Sequence, residues 1–494
     1  MTTLNRHITT ARASRFDAIE NGGVLDALII GAGIGGAPIY QELCQRGYRV
    51  GLVDKSDFAS GTSQASGMLI WGGLLYLKSL DISTVIQLCR ARKNLLGRSS
   101  HEVSPLDMHF LIGNGSVLRK ALLWTGMQLY WLLGGCDLMR PRFMNDRNGS
   151  RMIYQEAMLR GSDSRFVIER IAAHDSPDCI AINHCRVTSA CRDQSGGIWR
   201  IDLKDEISQR EHSIRAKVMV NAAGVWADEV NRLACLDSPF KHVLSKGVYL
   251  AFPRAASSEA RVYPMHGRND ILTHVPWGPV SMWGPTETRV LDLNEGFSPD
   301  RDDIGFLLDQ ARLNPGVPHR AEDVVSIRCG IRPLAVPRNF NRAVYPLSLS
   351  RKHQLVTHRE RMALTLYGGK FTSGTESALH VAGLLNSWIK PRRPPSNPQT
   401  GTAETRMHDY LGHAFVSPEW ARDRESCVTL DDYLRRRTNI AQWTPRMGLG
   451  RNDEHRNSLL EIAAVFTDHD QAAKEMLHAY EHRVRSLYDP LLDL

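Results

Sequence analysis

No Cys-x-x-Cys pair, zinc-finger spacing or block of like charges occurs anywhere in the chain. Its nine cysteines are odd in number and scattered, which is typical of reduced thiols in the cytoplasm and not of a disulfide framework. Because basic residues are spread out and no aromatic-basic RNA signature is present, nucleic-acid binding is excluded as a function. The sequence therefore predicts a cytoplasmic protein with no metal site and no nucleic-acid partner.

Long hydrophobic runs are also absent. The most apolar segment, residues 121–133, is shorter than the roughly 20 residues that cross a hydrocarbon core, so a transmembrane span is excluded. Residues 1–24 carry several charges and lack the apolar stretch of a secretory signal. We therefore expect that the protein is not exported.

The segment 121–133 nevertheless predicts a helix that is apolar nearly all round. Leucines lie near one face, Trp124 and Trp131 lie on another, and Arg119 and Lys120 precede them. Such a helix suits the protein core. It also suits a membrane interface, where tryptophan rings and basic side chains meet anionic head groups. Both placements are open at this point.

The composition is that of an ordinary globular protein. With 494 residues, of which 42% are hydrophobic and 23% charged, the chain is long enough for two or three domains. Its 61 Lys and Arg residues exceed its 53 Asp and Glu residues, which gives a formal net charge of +8. This excess favours anionic ligands or an anionic membrane surface and identifies neither.

A complete strand–helix–strand unit lies near the start of the chain. Residues 26–30 form a continuous apolar strand of the kind that parallel sheets bury on both faces. The loop GAGIGG at 31–36 leads into a helix with one apolar stripe, which Gly47 closes, and residues 49–54 form the next strand. A later apolar strand at 217–221 indicates that the chain returns to the same sheet. The nucleotide-binding domain is therefore predicted to be discontinuous.

The whole chain predicts an α/β protein in three parts. We expect a Rossmann-type nucleotide-binding domain over 25–243 and 345–395. An antiparallel-sheet substrate-binding domain is expected over 244–344, where short strand-like runs are separated by prolines. A proline-rich linker then leads into a helical domain over 400–494, which shows helical periodicity and dense charge.

The glycine loop carries the features of a dinucleotide site. Gly31 permits the tight turn, Gly33 lets the backbone approach a pyrophosphate, and Gly36 lets the helix pack on its strand. The N-terminus of that helix attracts the anion. Asp54, at the end of the second strand, is placed to accept hydrogen bonds from ribose hydroxyls, which indicates an unphosphorylated ribose. This pattern alone does not distinguish FAD from NAD.

Longer motifs make that distinction through a resemblance. They are GTSQASGMLIWGGLLYL at 61–77, VNAAGVWAD at 220–228, GIRPL at 330–334, YGGKFT at 367–372 and TLDDYLRRRT at 429–438. With these motifs in this order, the chain resembles the FAD-dependent glycerol-3-phosphate dehydrogenase family, which is related to D-amino-acid oxidase. The resemblance implies FAD as cofactor, hydride transfer from a substrate carbon to flavin N5, and quinone as the usual electron acceptor.

The resemblance also implies roles for single residues. Beside the glycine loop and Asp54, the residues expected to line the cofactor are Thr62, Ser63, Ser66, Leu69, Val187, Gly224, Gly369, Lys370 and Thr372. The residues expected to contact the substrate are Trp71, Leu75, Tyr76, Arg332 and Arg351. The expected catalytic residues are Arg332, Lys370 and Tyr249. A guanidinium fork is a natural clamp for a phosphate or carboxylate, although surface ion pairing is the alternative for both arginines.

Three positions depart from the family's pattern. Where the family has Ile-His-Gly-Gly-Leu-Arg-Tyr-Leu, this chain has Trp71 in place of the histidine and Leu75 in place of the phosphate-binding arginine. Losing one arm of a phosphate clamp costs about 1.5–3 kcal/mol. The site is thus either remodelled for a less anionic, more apolar substrate or decayed to weak activity. The retained Arg332 and Lys370 favour remodelling.

The third departure concerns the catalytic base. In the family pattern Lys-Gly-Ser-His the histidine is offered as the base, whereas this chain has Tyr249 at that position. A tyrosine serves as a base only if cationic neighbours depress its pKa of about 10, or if proton and hydride leave together. The alternative is that Tyr249 only packs.

The function predicted from the sequence is FAD-dependent oxidation of the hydroxyl of glycerol 3-phosphate or a related small alcohol. An oxidase or dehydrogenase acting on a different alcohol or amine is one alternative, and a catalytically silent flavoprotein that binds or scaffolds is another. The expected partner is a small-molecule substrate. Quinone, a peripheral contact with the inner face of the membrane, and a second copy in a homodimer are further candidates.

Overall fold

The computed structural model describes residues 3–112, 117–146, 149–193, 196–255, 258–268, 270–341, 346, 349, 351–395, 406–408 and 414–492. Its helices are α1 (Arg6–Asn21), α2 (Gly36–Gln45), α3 (Ile82–Arg98), α4 (Val117–Leu133), α5 (Asp163–Ala172), α6 (Ala227–Leu233), α7 (Leu293–Gly296), α8 (Arg301–Arg312), α9 (Gly374–Trp388), α10 (Pro418–Arg424), α11 (Leu430–Asp432), α12 (Ile440–Trp443), α13 (Arg456–Val465), α14 (Asp470–Leu487) and α15 (Asp489–Leu492).

The strands fall into two large sheets and one small one. They are β1 (Leu25–Ile30), β2 (Val50–Val53), β3 (Leu69–Ile70), β4 (Val103–Leu111), β5 (Arg142–Asp146), β6 (Gly149–Leu159), β7 (Cys179–Ile182), β8 (Cys185–Arg192), β9 (Trp199–Asp205), β10 (Glu211–Asn221), β11 (Phe240–Pro253), β12 (Ala260–Pro264), β13 (Ile271–Trp277), β14 (Val280–Gly284), β15 (Thr288–Val290), β16 (Ser326–Pro337), β17 (Gln354–His358), β18 (Ala363–Tyr367), β19 (Arg406–His408) and β20 (Ala414–Val416).

The first sheet contains the predicted strand–helix–strand unit. Strands β18, β10, β1, β2 and β7 run parallel in that order, and β17, β9 and β8 extend them through antiparallel pairs. Every residue of β1 and β2 is buried, because α2, α5 and α9 cover one face and α1 with the β8–β9 hairpin covers the other. The predicted return of the chain to this sheet through β10 is confirmed, since Ile29 pairs with Val220.

The second sheet has ten strands and lies beside the first. Its order is β15, β11, β14, β13, β12, β4, β6 and β3, with β16 paired to β11 and β5 paired to β6. All of these pairs are antiparallel except that of β4 with β12. Strands β3 to β6 lie within 25–243, the range predicted as nucleotide-binding, so the sheet membership differs from the predicted boundary. The reason is long-range: Met108 of β4 pairs with Ala260 of β12.

The predicted C-terminal helical part is confirmed by α10 to α15. Helices α13 and α14 and the segments around them share one apolar core with β11, β14, β16 and α8. The first described residues after the proline-rich linker pair as β19 and β20, a short two-stranded sheet ahead of the helices. The helical part therefore packs directly on the second sheet.

Helix α4 presents two unlike faces. Met127 and Tyr130 are buried in the core with β4, β6 and α3. On the other face Leu118 is 75% exposed and Leu122 is 73% exposed. Of the two placements left open by the sequence, burial of the whole helix is therefore wrong. Within the described part of the chain, α4 and all other helices fall short of the length and apolarity of a membrane-spanning helix.

Candidate active site

The loops that follow the parallel strands meet at one edge of the first sheet. Strand β1 ends at the glycine loop, β2 ends before Asp54, β10 ends before Gly224, and β18 ends before Gly369. The carboxyl ends of parallel strands face the same side, which is where open α/β sheets bind ligands. These loops, which are distant in sequence, therefore surround one crevice.

The glycine loop folds as its spacing predicts. Gly31 has a φ of +102°, and a Cβ atom there would lie 2.6 Å from the carbonyl oxygen of Ala222. A Cβ atom on Gly36 would collide with the carbonyl oxygen of Gly31 at the start of α2. Ser63 reaches across the loop, and its Oγ accepts a hydrogen bond of 2.8 Å from the backbone N–H of Ile34. The loop is thus a tight backbone cradle of the kind that a pyrophosphate fits.

Asp54 lies at the end of β2, as predicted. Its Oδ2 accepts a hydrogen bond of 2.7 Å from Ala32 N, and its Oδ1 accepts one of 3.0 Å from Ser56 N. Burial raises the pKa of Asp54 to about 6, although these backbone donors oppose the rise. The carboxylate therefore ties the second strand to the glycine loop at the place where the ribose of a dinucleotide lies in this fold.

One cavity of about 940 Å³ contains almost every residue singled out in the sequence. The predicted residues that line it are Gly31, Gly33, Asp54, Thr62, Ser63, Ser66, Leu69, Trp71, Leu75, Tyr76, Val187, Gly224, Tyr249, Arg332, Arg351, Gly369, Lys370 and Thr372. Gly36 is not in this lining, because it packs against Gly31 behind the loop. The cavity volume and the glycine cradle fit a bound dinucleotide.

Two arginines in the cavity share one carboxylate. Arg332 lies on β16, and its Nη1 donates to Glu287 Oε2 at 3.0 Å and to the carbonyl oxygen of Thr286 at 3.4 Å. Arg351 donates from Nη2 to the same Glu287 Oε2 at 3.0 Å. Burial opposes ionisation of Glu287, but the charges of both arginines outweigh it and hold the pKa of Glu287 below its usual value. The pair is an anchored cationic clamp.

Lys370 adds a titratable amine to the cavity. Its Nζ lies 4.2 Å from the centroid of the Tyr76 ring, which is a cation–π distance. Burial, followed by the positive charge of Arg351, lowers the pKa of Lys370 to about 7. Near neutral pH, Lys370 therefore exists in both protonation states, which is the condition for a general base or acid.

Tyr249 occupies the position of the missing histidine. It lies on β11, within the apolar core of the second sheet. Burial raises the pKa of Tyr249 above its usual value even though the charges of Arg332 and Arg328 oppose the rise. Cationic neighbours therefore do not depress it enough to make a base near neutral pH. Of the predicted catalytic groups, Lys370 suits proton transfer better.

The loop that carries Trp71 rests on a buried polar cluster. Glu156 Oε2 accepts a hydrogen bond of 3.0 Å from Gly72 N, and Glu156 also forms an ion pair with Arg92. Tyr130 of α4 donates to Glu156 Oε1 at 2.6 Å. Each charged group in this cluster is paired, so the loop is held firmly. It presents Trp71, Leu74 and Leu75 to the cavity as an apolar wall.

The sequence did not point to three residues that organise the site. Glu287 follows β14 and holds both arginines, as described above. His242 accepts a hydrogen bond of 3.1 Å from Gly368 N in the loop before Lys370, and burial lowers the pKa of His242 to about 4. Arg328 donates to Asp163 and to the carbonyl oxygens of residues 64 and 66, below the Thr62–Gln64 turn. For His242 and Arg328 the local signal is a basic side chain inside a strand, whereas Glu287 lies between β14 and β15 and has no such signal.

A family comparison agrees with this geometry. The model of the FAD dependent oxidoreductase family, DAO, matches residues 26–384, from the first strand to the helix that follows Lys370. The chain belongs to the FAD-dependent oxidoreductase family. FAD is therefore the cofactor of this flavoprotein, and the choice between FAD and NAD is settled.

Relatives of the flavoprotein include named glycerol-3-phosphate dehydrogenases. The aerobic glycerol-3-phosphate dehydrogenase of Staphylococcus saprophyticus is 27% identical over 380 residues, which cover 74% of this chain and 67% of that enzyme. The mitochondrial glycerol-3-phosphate dehydrogenase of Homo sapiens is 27% identical over 394 residues, covering 74% of this chain and 53% of the human enzyme. The resemblance stated from the motifs is confirmed.

Solved structures show the same fold. The glycerol-3-phosphate dehydrogenase of Bacillus halodurans, complexed with FAD, gives a TM-score of 0.72 at 18% identity and covers 99% of both chains. The L-α-glycerophosphate oxidase of Mycoplasma pneumoniae, with FAD bound, gives a TM-score of 0.61 at 16% identity over 77% of this chain and 99% of its own. The flavoprotein thus shares its architecture, including the C-terminal helices, with the first of these.

Proposed function

We propose that this flavoprotein is a dehydrogenase that oxidises the hydroxyl of a small anionic alcohol, glycerol 3-phosphate or a relative, and passes the electrons to quinone. The observation that carries the proposal is that Arg332, Arg351 and Lys370 line the same cavity as the glycine loop. Two guanidinium groups suit an anionic substituent, and the amine suits a hydroxyl that must lose its proton.

The bound FAD supplies a hydride acceptor, the flavin N5. In the proposed mechanism the residues of this chain bind, orient and deprotonate the substrate. Arg332 and Arg351 hold its anionic group. Lys370, when neutral, takes the proton of the hydroxyl at Nζ. Trp71 and Leu75 exclude water from the reacting carbon, because they form the apolar wall of the cavity.

Anaerobic titration of the purified protein with glycerol 3-phosphate tests this proposal. We expect bleaching of the flavin absorbance. We expect Arg332→Ala to raise the glycerol 3-phosphate concentration needed for half-maximal bleaching at least about tenfold. Arg338→Ala is the matched control, because the Arg338 side chain is exposed and pairs with Asp228 at the surface. Absence of bleaching by glycerol 3-phosphate and by every related hydroxylated anion would refute the proposal. Bleaching that Arg332→Ala leaves unchanged would refute the assigned clamp.

The exposed face of α4 supports a peripheral membrane contact in the proposed function. The exposed apolar side chains on this helix are Val117, Leu118, Leu122, Trp124, Leu129 and Leu132. Basic residues lie next to it: Lys120 donates to Ser150, and Arg140 lies over the ring of Trp131. An apolar face with neighbouring cations suits the surface of an anionic membrane, where a quinone would be reached.

Sedimentation with anionic vesicles tests the membrane contact. We expect Leu118→Ser combined with Leu122→Ser to abolish sedimentation and to leave the melting temperature unchanged, because both side chains are exposed. Leu487→Ser is the matched control, since this exposed leucine lies at the end of α14. Equal sedimentation of the double variant and the wild type would show that α4 is not the contact.

A further inference from the structure

Glu287 is the one acidic group that contacts the cationic clamp in the described part of the cavity. Its Oε2 lies 3.0 Å from Arg332 Nη1 and 3.0 Å from Arg351 Nη2. Its Oε1 accepts a hydrogen bond of 2.7 Å from Ser245 Oγ on the strand opposite Arg332. The side chain is only 5% exposed, and both of its oxygens are held by the protein.

Arg332, Arg351 and Glu287 together carry a single net positive charge. Two guanidinium groups and one carboxylate sum to +1, and Glu287 stays ionised because both arginines hold its pKa below the usual value. Lys370 adds a further charge only below its pKa of about 7. Among the described residues, four other acids lie at the cavity wall, and each has a partner of its own. Asp81 lies 3.2 Å from Lys352, Glu229 lies 3.9 Å from Lys55, Asp54 accepts from the glycine loop, and Asp270 accepts from the backbone N–H of Ile271.

The clamp keeps donors for a ligand. Arg332 is partly exposed, and among the residues described neither its Nε nor its Nη2 has a hydrogen-bond partner. Any anion that binds these donors also lies close to the Glu287 carboxylate, because both contact the same guanidinium group. Repulsion from that carboxylate grows with the charge of the anion, and it is strong in a site lined by Trp71 and Leu75.

We infer that Glu287 determines substrate charge, so that the cavity prefers a singly charged small hydroxy acid, bound through its carboxylate, to a doubly charged phosphate monoester. Glu287 acts through the arginines and is therefore a positioning and specificity-determining residue, not a catalytic one. The inference rests on the proposed function and narrows it: among small anionic alcohols it favours a hydroxy acid over glycerol 3-phosphate itself, which is a doubly charged phosphate monoester. Leu75, which stands in place of an arginine, supports the same charge preference because it leaves this part of the cavity wall uncharged.

Anion binding tests this inference without turnover. The FAD-loaded protein is titrated with acetate, a singly charged carboxylate that has no hydroxyl to oxidise, and with inorganic phosphate at about pH 8, where phosphate is doubly charged. The shift of the flavin spectrum gives each Kd. We expect the wild type to bind acetate more tightly. We expect Glu287→Gln to strengthen phosphate binding about tenfold relative to acetate, because the repelling charge is gone. Glu287→Asp, which retains the charge, should keep the wild-type preference.

A control variant and two outcomes make the test decisive. Asp309→Asn removes an exposed carboxylate of α8 and should leave both affinities unchanged. If Glu287 had a purely structural role, Glu287→Gln would weaken the binding of both anions alike. An unchanged ratio of the two Kd values in this variant therefore overturns the inference. Tighter phosphate binding by the wild type also overturns it. If the ratio changes as expected but no hydroxylated anion bleaches the flavin, the charge preference stands and the proposed function fails.

Discussion

Replacing Asp57 by asparagine should destabilise the protein more than any surface charge change. Asp57 is 1% exposed and lies in the turn after β2, close to Asp54. Its Oδ2 accepts hydrogen bonds of 2.6 Å from Arg436 Nε and from Arg437 Nη1, and its Oδ1 accepts one of 2.9 Å from Arg437 Nη2. The carboxylate thus ties the nucleotide-binding sheet to the C-terminal helices.

The magnitude follows from what the substitution leaves behind. Asparagine keeps the shape but removes the charge that compensates two buried guanidinium groups. Breaking a buried ion pair from one side costs about 3–5 kcal/mol, because the remaining charge is left uncompensated. Asp432 still contacts Arg436, and Glu425 still lies near Arg437, so we expect the lower half of that range. This is a large share of the roughly 5–15 kcal/mol by which proteins are stable.

Urea unfolding followed by circular dichroism and by flavin fluorescence measures the effect. We expect Asp57→Asn to shift both transitions to lower urea, with flavin release at least as early as loss of helix, since the same turn carries Asp54. Asp175→Asn is the matched control: its side chain is 40% exposed and pairs with Arg15, so a change of no more than about 1 kcal/mol is expected. Equal unfolding curves for Asp57→Asn and the control would refute the reasoning.

Three further predictions concern the cofactor, the base and acid stability. Gly33→Val should yield colourless protein, because a Cβ atom there would lie only 2.9 Å from Ser63 Oγ and a branched side chain would fill the cradle. The control Gly97→Ala, which has open space around it, should stay yellow. A yellow Gly33→Val variant would contradict the assigned loop. The rate of flavin reduction should rise with pH through about 7, the pKa of Lys370, and Lys370→Met should lose both the rise and most of the rate, while an unchanged profile would exclude this base. Burial lowers the pKa of His274 from 6.5 to about 4, so between these pH values the folded state binds fewer protons than the unfolded state. The free energy of unfolding should therefore fall by up to about 3 kcal/mol as the pH drops from 6.5 to 4. A His274→Gln variant that keeps the full acid dependence of this free energy would show that another group is responsible.

The sequence by itself determined the cofactor site. The apolar run of β1, the loop at 31–36, the helix after it and Asp54 are neighbours in the chain, so their spacing alone fixes a strand, a tight turn and a helix N-terminus. The motifs also identified the family and located Arg332 and Lys370. Such features are predictable because the physical constraint acts between residues that are close in sequence.

Only the tertiary structure decided which residues distant in sequence form ion pairs. Glu287 lies 45 residues from Arg332 and 64 from Arg351, and Asp57 lies 380 residues from Arg437. Ion pairs of this kind depend on the three-dimensional packing of whole sheets, and no local pattern records them. The two arginines therefore suggested a strong anion clamp in the sequence, whereas the structure shows that one carboxylate offsets half of their charge.

The same reason explains the two structural features that the sequence left open or misplaced. An apolar helix such as α4 has no sequence signal for which face meets the core, because Met127 and Leu122 differ little in polarity and only the position of the neighbouring strands buries one of them. Likewise, β4 joins the second sheet because its hydrogen-bonding edge meets β12 and β6. Sequence periodicity identifies a strand, and backbone pairing over long range decides to which sheet it belongs.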